Sequence, residues 1–320
     1  MIRAFKEVSA VKYAIIADIH GNMPALELVL KDARQHGAQA YLLAGDYSIR
    51  APWFNEVAAE LRRLPNARAV CGNEERYFHL PKGDDAQYAI CYWAAKRIHP
   101  DHLAWLDSLP ERLHWQENGT GFHMAHTLGA FLGDEMTHLF RTSVLAQRYP
   151  DRPILKERFL SDNRRLMQSQ PYFADRLAAL PEGIYIYGHN HAQTHMRFGN
   201  HLFINPGSCG HPLDCMHFGA CYTLLTVENG EWLVEERRIP YDPTPLIEAV
   251  KQTEQYEAAP VWSGLMFLDW TTCYEHIVPF LRYAEAYARR VGDSRRPFMA
   301  DTFRQAFDEW CEKGCPMVWD

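Results

Sequence analysis

Along the first hundred positions, short apolar blocks alternate with longer amphipathic stretches. Residues 11–17 (V-K-Y-A-I-I-A) form a nearly continuous apolar run that stops at Asp18. Such a run predicts a buried strand. Residues 24–36 predict a helix, with Pro24 near its first turn and Gly37 just past its end. Residues 40–44 and 67–71 repeat the strand signal. Residues 53–64 repeat the helical one, with apolar positions at Trp53, Phe54, Val57, Leu61 and Leu64. Strands separated by helices imply a mainly parallel sheet covered on both faces.

Farther along, residues 84–109 read as helical and aromatic-rich, 122–125 as a strand, and 127–180 as a mostly helical insertion. Residues 184–187 read as a strand. Short strands follow at 195–198, 201–204, 222–227 and 232–238, with turn signals at Gly199-Asn200 and Asn229-Gly230. That spacing predicts antiparallel pairing in the second half. The order fits an α/β fold with four layers, an α/β/β/α sandwich of two mixed β-sheets, better than one doubly wound sheet. From Pro243 the character changes to helices at 245–258, 273–291 and 299–313. The expected organisation is a domain over residues 1–242, with its insertion at about 127–180, then a helical C-terminal extension over 243–320. That extension reads as an appendage, a lid or a homo-oligomer interface.

Composition narrows the class. The chain has 320 residues, 47% hydrophobic and 23% charged, enough for a sizeable core. Its net charge of −7 argues against stable nucleic-acid binding, which needs a basic footprint. A small anionic substrate stays open, because a metal cluster supplies its own positive charge. The eight cysteines are scattered without a C-x-x-C pair and read as free thiols of a cytoplasmic protein. There is no signal-peptide pattern and no apolar window of about 18 residues, so no membrane association is expected.

The chemistry sits where the strands end. The first runs into Asp18-Ile19-His20-Gly21-Asn22, the second into Gly45-Asp46 and the third into Gly72-Asn73. The strand at 122–125 ends at His126, and that at 184–187 in Gly188-His189-Asn190-His191. Open α/β sheets bind ligands at the carboxyl ends of strands, so two Asp, one Asn and four His fall near one another. Gly45, Gly72 and Gly188 let the backbone turn sharply and approach the site. Carboxylate oxygen with imidazole suits transition metals: manganese first, with iron, zinc, nickel or cobalt as other fits. A shared carboxylate such as Asp46 can bridge two divalent or mixed-valence ions. Two metals about 3.5–4 Å apart clamp a phosphoryl group and turn water into a nucleophile at neutral pH. Each dipeptide alone would be an ordinary turn, and His189 and His191 alone would be loop histidines. The set carries the signal.

The series D-I-H-G-N, G-D, G-N-E-E, a strand-end His, G-H-N-H and N-P-G-S resembles the calcineurin-like metallophosphoesterase family over about residues 11–240. The resemblance implies that Asp18, His20 and His191 bind one metal. Asn73, His126 and His189 bind the other, and Asp46 bridges. It implies hydrolysis of a small phosphate ester, phosphodiester or anhydride by a metal-bridging hydroxide, with Asp46, Asn73 and Arg50 as the catalytic set. Arg50 lies four residues past Asp46, where the family's protein phosphatases and dinucleoside tetraphosphatases carry a phosphate-binding arginine. It reads equally as a solvated surface residue. Those two activities are the alternative enzymatic reading. A non-catalytic protein-interaction scaffold on the same fold is the alternative from another class. One departure matters. Glu74 stands where many members have a histidine that assists the leaving group. A glutamate beside two cations serves as an acid only if its pKa is raised, so it reads better as a supporting carboxylate. His211 or His79 would then be substitute acids. The Cys209, His211, Cys215, His217 group fits no zinc spacing. Tyr88, Tyr92 and Trp93 at helical spacing read as packing rather than base stacking. His123 should point away from His126 across the strand.

Overall fold

The computed structural model, which describes residues 10–319, arranges the apolar runs as two five-stranded sheets. In chain order the strands are β1 (Val11–Ile16), β2 (Ala40–Leu43), β3 (Ala67–Ala69), β4 (Arg112–Glu117), β5 (Thr120–Ala125), β6 (Gly183–Ile186), β7 (Thr194–Phe198), β8 (His201–Asn205), β9 (Ala220–Glu228) and β10 (Glu231–Ile239). The first sheet has the order β10-β9-β1-β2-β3, the second β4-β5-β6-β8-β7.

Strand alternation builds the layers, since successive side chains point to opposite faces. Tyr13 and Ile15 of β1 and Leu42 of β2 point inward and meet Phe122, Met124, Ile184, Ile186 and Ile204 of the second sheet. Ala14, Ile16, Tyr41 and Leu43 point outward, under the helices Met23–Gln35 and Phe54–Leu61. On the far side, Tyr185, Tyr187 and Phe203 pack against Leu128, Leu132, Phe159 and Phe173 of the helical region between β5 and β6. The result is the α/β/β/α sandwich, with both sheets mixed.

The expected antiparallel pairing in the second half holds for its two hairpins but not for the other neighbour of β8. β7 pairs antiparallel with β8 and β9 with β10, but β5, β6 and β8 are parallel neighbours. The hairpins were visible as turns, whereas the parallel pairs are joined through distant chain and leave no local mark. The C-terminal elements also differ. The predicted helix at 245–258 is two, Thr244–Lys251 and Glu254–Ala258. The one at 273–291 starts at Ile277, because Cys273, at φ 54°, ends a separate helix, Pro260–Thr272. That helix bridges two cores. Met266 and Trp270 enter the core outside the first sheet, while Val261 and Leu265 join Phe280, Phe303 and Trp310 of helices Ile277–Val291 and Ala300–Glu312. Among the described residues, no helix is long and apolar enough to cross a membrane.

Candidate metal centre

The loops after β1, β2, β3, β5 and β6 converge, and backbone hydrogen bonds tie them together. Asp18 N donates to Gly45 O (3.0 Å), His20 N to Asp46 O (3.1 Å) and Gly188 N to His126 O (2.9 Å). His189 N donates to both carboxylate oxygens of Asp18 at 3.0 Å. Asp18, His20, Asp46, His189 and His191 all have positive φ, between 52° and 70°. Each such residue costs of the order of 1–3 kcal/mol, and such strain persists where the surrounding structure enforces it. Gly72 is needed for close approach: a Cβ there would sit 2.0 Å from Asp46 Oδ1.

All seven motif residues come together, in two groups. Asp18, His20 and His191 offer one ligand atom each within a single small cluster. His20 Nε2 lies 3.1 Å from His191 Nε2, which is 3.7 Å from Asp18 Oδ1. Asp46, His126 and His189 form the second group. There His126 Nε2 lies 3.2 Å from Asp46 Oδ2, and Asn73 Oδ1 is 3.1 Å from His126 Nε2 and 2.8 Å from His189 Nδ1. Asp46 also clusters with His20 and Glu74, so it stands between the two groups.

The donor set fits a metal pair. His20 Nδ1 is held by Glu74 Oε2 (2.9 Å), His191 Nδ1 by His211 O (2.6 Å) and His126 Nδ1 by Ala44 O (2.7 Å). With Nδ1–H donating outward, the neutral His191 keeps its Nε2 lone pair for the cluster, and the same outward acceptors aim the Nε2 atoms of His20 and His126 inward. His20 Nε2 and His191 Nε2, 3.1 Å apart, are close enough to share a proton or a cation. Burial, with His126 adding to it, pushes His189 down to about 4; burial and His20 hold His191 well below the usual histidine value. Both rings are therefore neutral donors. Burial, with Asp46 adding to it, raises Asp18 to about 7. For His126 burial opposes the charge, but Asp46 and Asp18 outweigh it and lift the ring to about 10.

Of the two glutamates after Asn73, Glu74 is the supporting carboxylate that the sequence suggests, and Glu75 has structural work that the motif did not reveal. Glu74 is buried. Its Oε1 accepts from Arg50 Nε (3.1 Å) and Nη2 (2.6 Å), and its Oε2 faces His20. Burial would raise the Glu74 carboxyl, but Arg50 and His20 outweigh it and hold it below the usual range. Glu75 accepts from Tyr47 N (2.8 Å), Gly72 N (2.8 Å) and Asp46 N (3.2 Å), clamping the Asp46 loop to the Asn73 loop. Nothing in the spacing distinguishes Glu75 as a backbone clamp.

The site opens into a cleft of about 440 Å³. Its lining includes Asp46, Arg50, Asn73, Glu74, His189 and His191 from the strand-end loops, Arg141 from the insertion, and Glu275 and Arg282 from the C-terminal extension. Of the other histidine candidates His211 lies beside the cluster, its ring 5.9 Å from that of His20 and 5.7 Å from that of His191, and the rest lie away from it. His79 pairs with Asp107 on the surface (2.7 Å). His211 is buried, with Nε2 3.0 Å from Asp269 Oδ2. His123 stacks between His114 and Tyr185, away from His126's cluster. The eight cysteines are free thiols.

Comparison with known proteins agrees with this geometry. The model of the calcineurin-like phosphoesterase superfamily domain matches residues 11–230. The uncharacterized protein MJ0912 of Methanocaldococcus jannaschii is 26% identical over 272 residues, covering 78% of this chain and 95% of its own. Two solved structures share the fold. A metallophosphoesterase from Sphaerobacter thermophilus aligns with TM-score 0.53 and 20% identity, over 81% of this chain and 99% of that one. Protein PH1004 of Pyrococcus horikoshii OT3 aligns with TM-score 0.54 and 16% identity, over 79% and 97%. The clustered Asp and His side chains have the make-up of a binuclear metal site, and with this fold they support a metal-dependent phosphoesterase. The chain belongs to the calcineurin-like phosphoesterase superfamily.

Proposed function

We propose that the protein hydrolyses phosphodiesters or related phosphate esters and anhydrides with good leaving groups. Asp18, His20 and His191 would hold one transition metal, Asn73, His126 and His189 a second, and Asp46 would bridge. The observation that carries this reading is the sharing of Asp46 between two preorganised ligand groups at the floor of an open cleft. Bound there, a metal pair supplies Lewis acidity toward the phosphoryl group and a nucleophilic water at neutral pH. The chain's own part is positioning. Glu74 and the carbonyls of His211 and Ala44 fix three imidazoles, and Glu75 fixes the loop that carries Asp46.

The preference for good leaving groups rests on proton supply. Glu74 is held ionised by Arg50 and His20, and His189 and His191 are neutral. None of these cleft groups has a proton to give at neutral pH, so a leaving oxygen that departs as the anion is favoured. Arg50, Arg141 and Arg282 in the cleft lining favour a second reading, a dinucleoside polyphosphate hydrolase or protein phosphatase, since guanidinium groups grip additional phosphate oxygens. The complete ligand set weighs against a purely scaffolding role.

The test compares bis-p-nitrophenyl phosphate with p-nitrophenyl phosphate on metal-stripped protein, with manganese, nickel, zinc or magnesium added back. Metal-dependent turnover, faster on the diester, is expected. Turnover confined to the monoester removes the diesterase reading, and no turnover with any metal in folded protein removes the enzymatic one.

A further inference from the structure

A second cavity, of about 270 Å³, adjoins the metal cleft, and Arg50, Glu74 and Ile277 line both. Its character is different. Tyr77 and Tyr88 form part of its wall from the segment after the Asn73 loop; Trp262, Met266 and Leu281 complete it from the C-terminal extension. The Trp262 indole is fixed, because its Nε1 donates to Gln87 O (2.9 Å) and Ala86 O (3.2 Å). The extension's share of the wall lies outside residues 11–230, the span of the superfamily match.

We infer that this cavity is the binding site for a planar aromatic substituent of the phosphate ester whose phosphoryl group occupies the cleft, a group between nitrophenyl and nucleobase in size. The inference rests on the phosphoesterase reading. Three observations carry it. Aromatic and aliphatic walls reward an apolar occupant, whereas well-packed interiors leave few voids larger than a water molecule. The volume is just under the roughly 300–1,000 Å³ of sites that take a whole drug-sized ligand, so it suits one part of a substrate. The shared Arg50–Glu74 pair sets the cavity directly beside the site of the anionic part. In this arrangement the strand-end loops hold the phosphate and the extension selects what is attached to it.

Calorimetric titration of the metal-loaded protein with phenylphosphonate and methylphosphonate, neither of which is hydrolysed, tests this. Phenylphosphonate is expected to bind about tenfold or more tightly, the gain from burying one aromatic ring. Leu281→Trp, which fills the cavity, and Tyr88→Ala, which removes part of its wall, should each bring the two affinities to within about twofold of one another. Equal affinities in the unaltered protein would overturn the inference. So would a preference for phenylphosphonate that survives in whichever of the two variants folds. Failure of both phosphonates to bind would instead bring down the phosphoesterase reading, and the inference with it.

Discussion

His20 Nδ1 lies 2.9 Å from Glu74 Oε2, and the other oxygen of that carboxylate is gripped by Arg50. Glu74 therefore orients the His20 ring and is itself oriented by a guanidinium. The supporting role read for Glu74 from sequence thus has named partners, His20 and Arg50. Partners of this kind typically contribute about 10–100-fold to metal affinity.

Replacing Glu74 should expose that contribution. Glu74→Ala is expected to weaken metal binding at the Asp18–His20–His191 group by about 10–100-fold, with Glu74→Gln retaining part of it through its amide oxygen. Metal titration of the stripped variants measures this directly. Undiminished affinity in Glu74→Ala would show that His20 is oriented by Ile49 O (3.3 Å) alone.

Glu75 acts on stability instead. Glu75→Ala leaves the N–H groups of Asp46, Tyr47 and Gly72 without their acceptor in a buried setting, at about 1–3 kcal/mol for each group left unsatisfied. Urea unfolding of the metal-free protein should show a loss of several kcal/mol, with a smaller loss in Glu75→Gln. A midpoint unchanged by Glu75→Ala would mean that the loops hold their shape without the clamp.

Gly72→Ala is predicted to spoil the bridging position, because the added methyl would sit 2.0 Å from Asp46 Oδ1. The carboxylate must move, so both metals should bind more weakly and hydrolysis should fall by orders of magnitude while the fold persists. Metal content and circular dichroism of the purified variant separate those effects; full metal occupancy would contradict the account.

The fold and the convergence of the motif side chains were legible in sequence for a shared reason: each buried strand ends in its chemistry. Ala14–Ile16 and Leu42–Leu43 are too apolar to be anything but core, and Asp18 and Asp46 follow them within three residues. What escaped was of two kinds. β4 is a half-exposed edge strand whose only signal is Leu113 alternating with Trp115. Helix Pro260–Thr272 is apolar on more than one side because it bridges two cores, so it lacks the stripe that betrays a surface helix. In the site, the partners of the ligands were hidden. Glu74 and Glu75 look alike in sequence yet face a ring and a backbone, and Arg141 and Arg282 reach the cleft from segments with no motif.

His211 gives the chain a pH dependence. Burial pushes its pKa down to about 3, below the unfolded value of about 6.5. A depressed folded pKa means that the unfolded chain binds the proton more readily. Its contribution to stability is therefore complete above pH 6.5 and is lost as the pH falls toward 3. His211→Gln should flatten the decline in unfolding temperature between pH 6.5 and 4, as measured by thermal denaturation. The same slope in the variant would assign the decline to other groups.

The central claim is a pair of metals sharing Asp46, and the most direct measurement is the stoichiometry of manganese bound by metal-stripped protein, with Asp46→Asn as the comparison. Two equivalents per chain, falling to one or fewer in Asp46→Asn without loss of fold, is the predicted result. A single equivalent in the unaltered chain, or two that survive in Asp46→Asn, would contradict it.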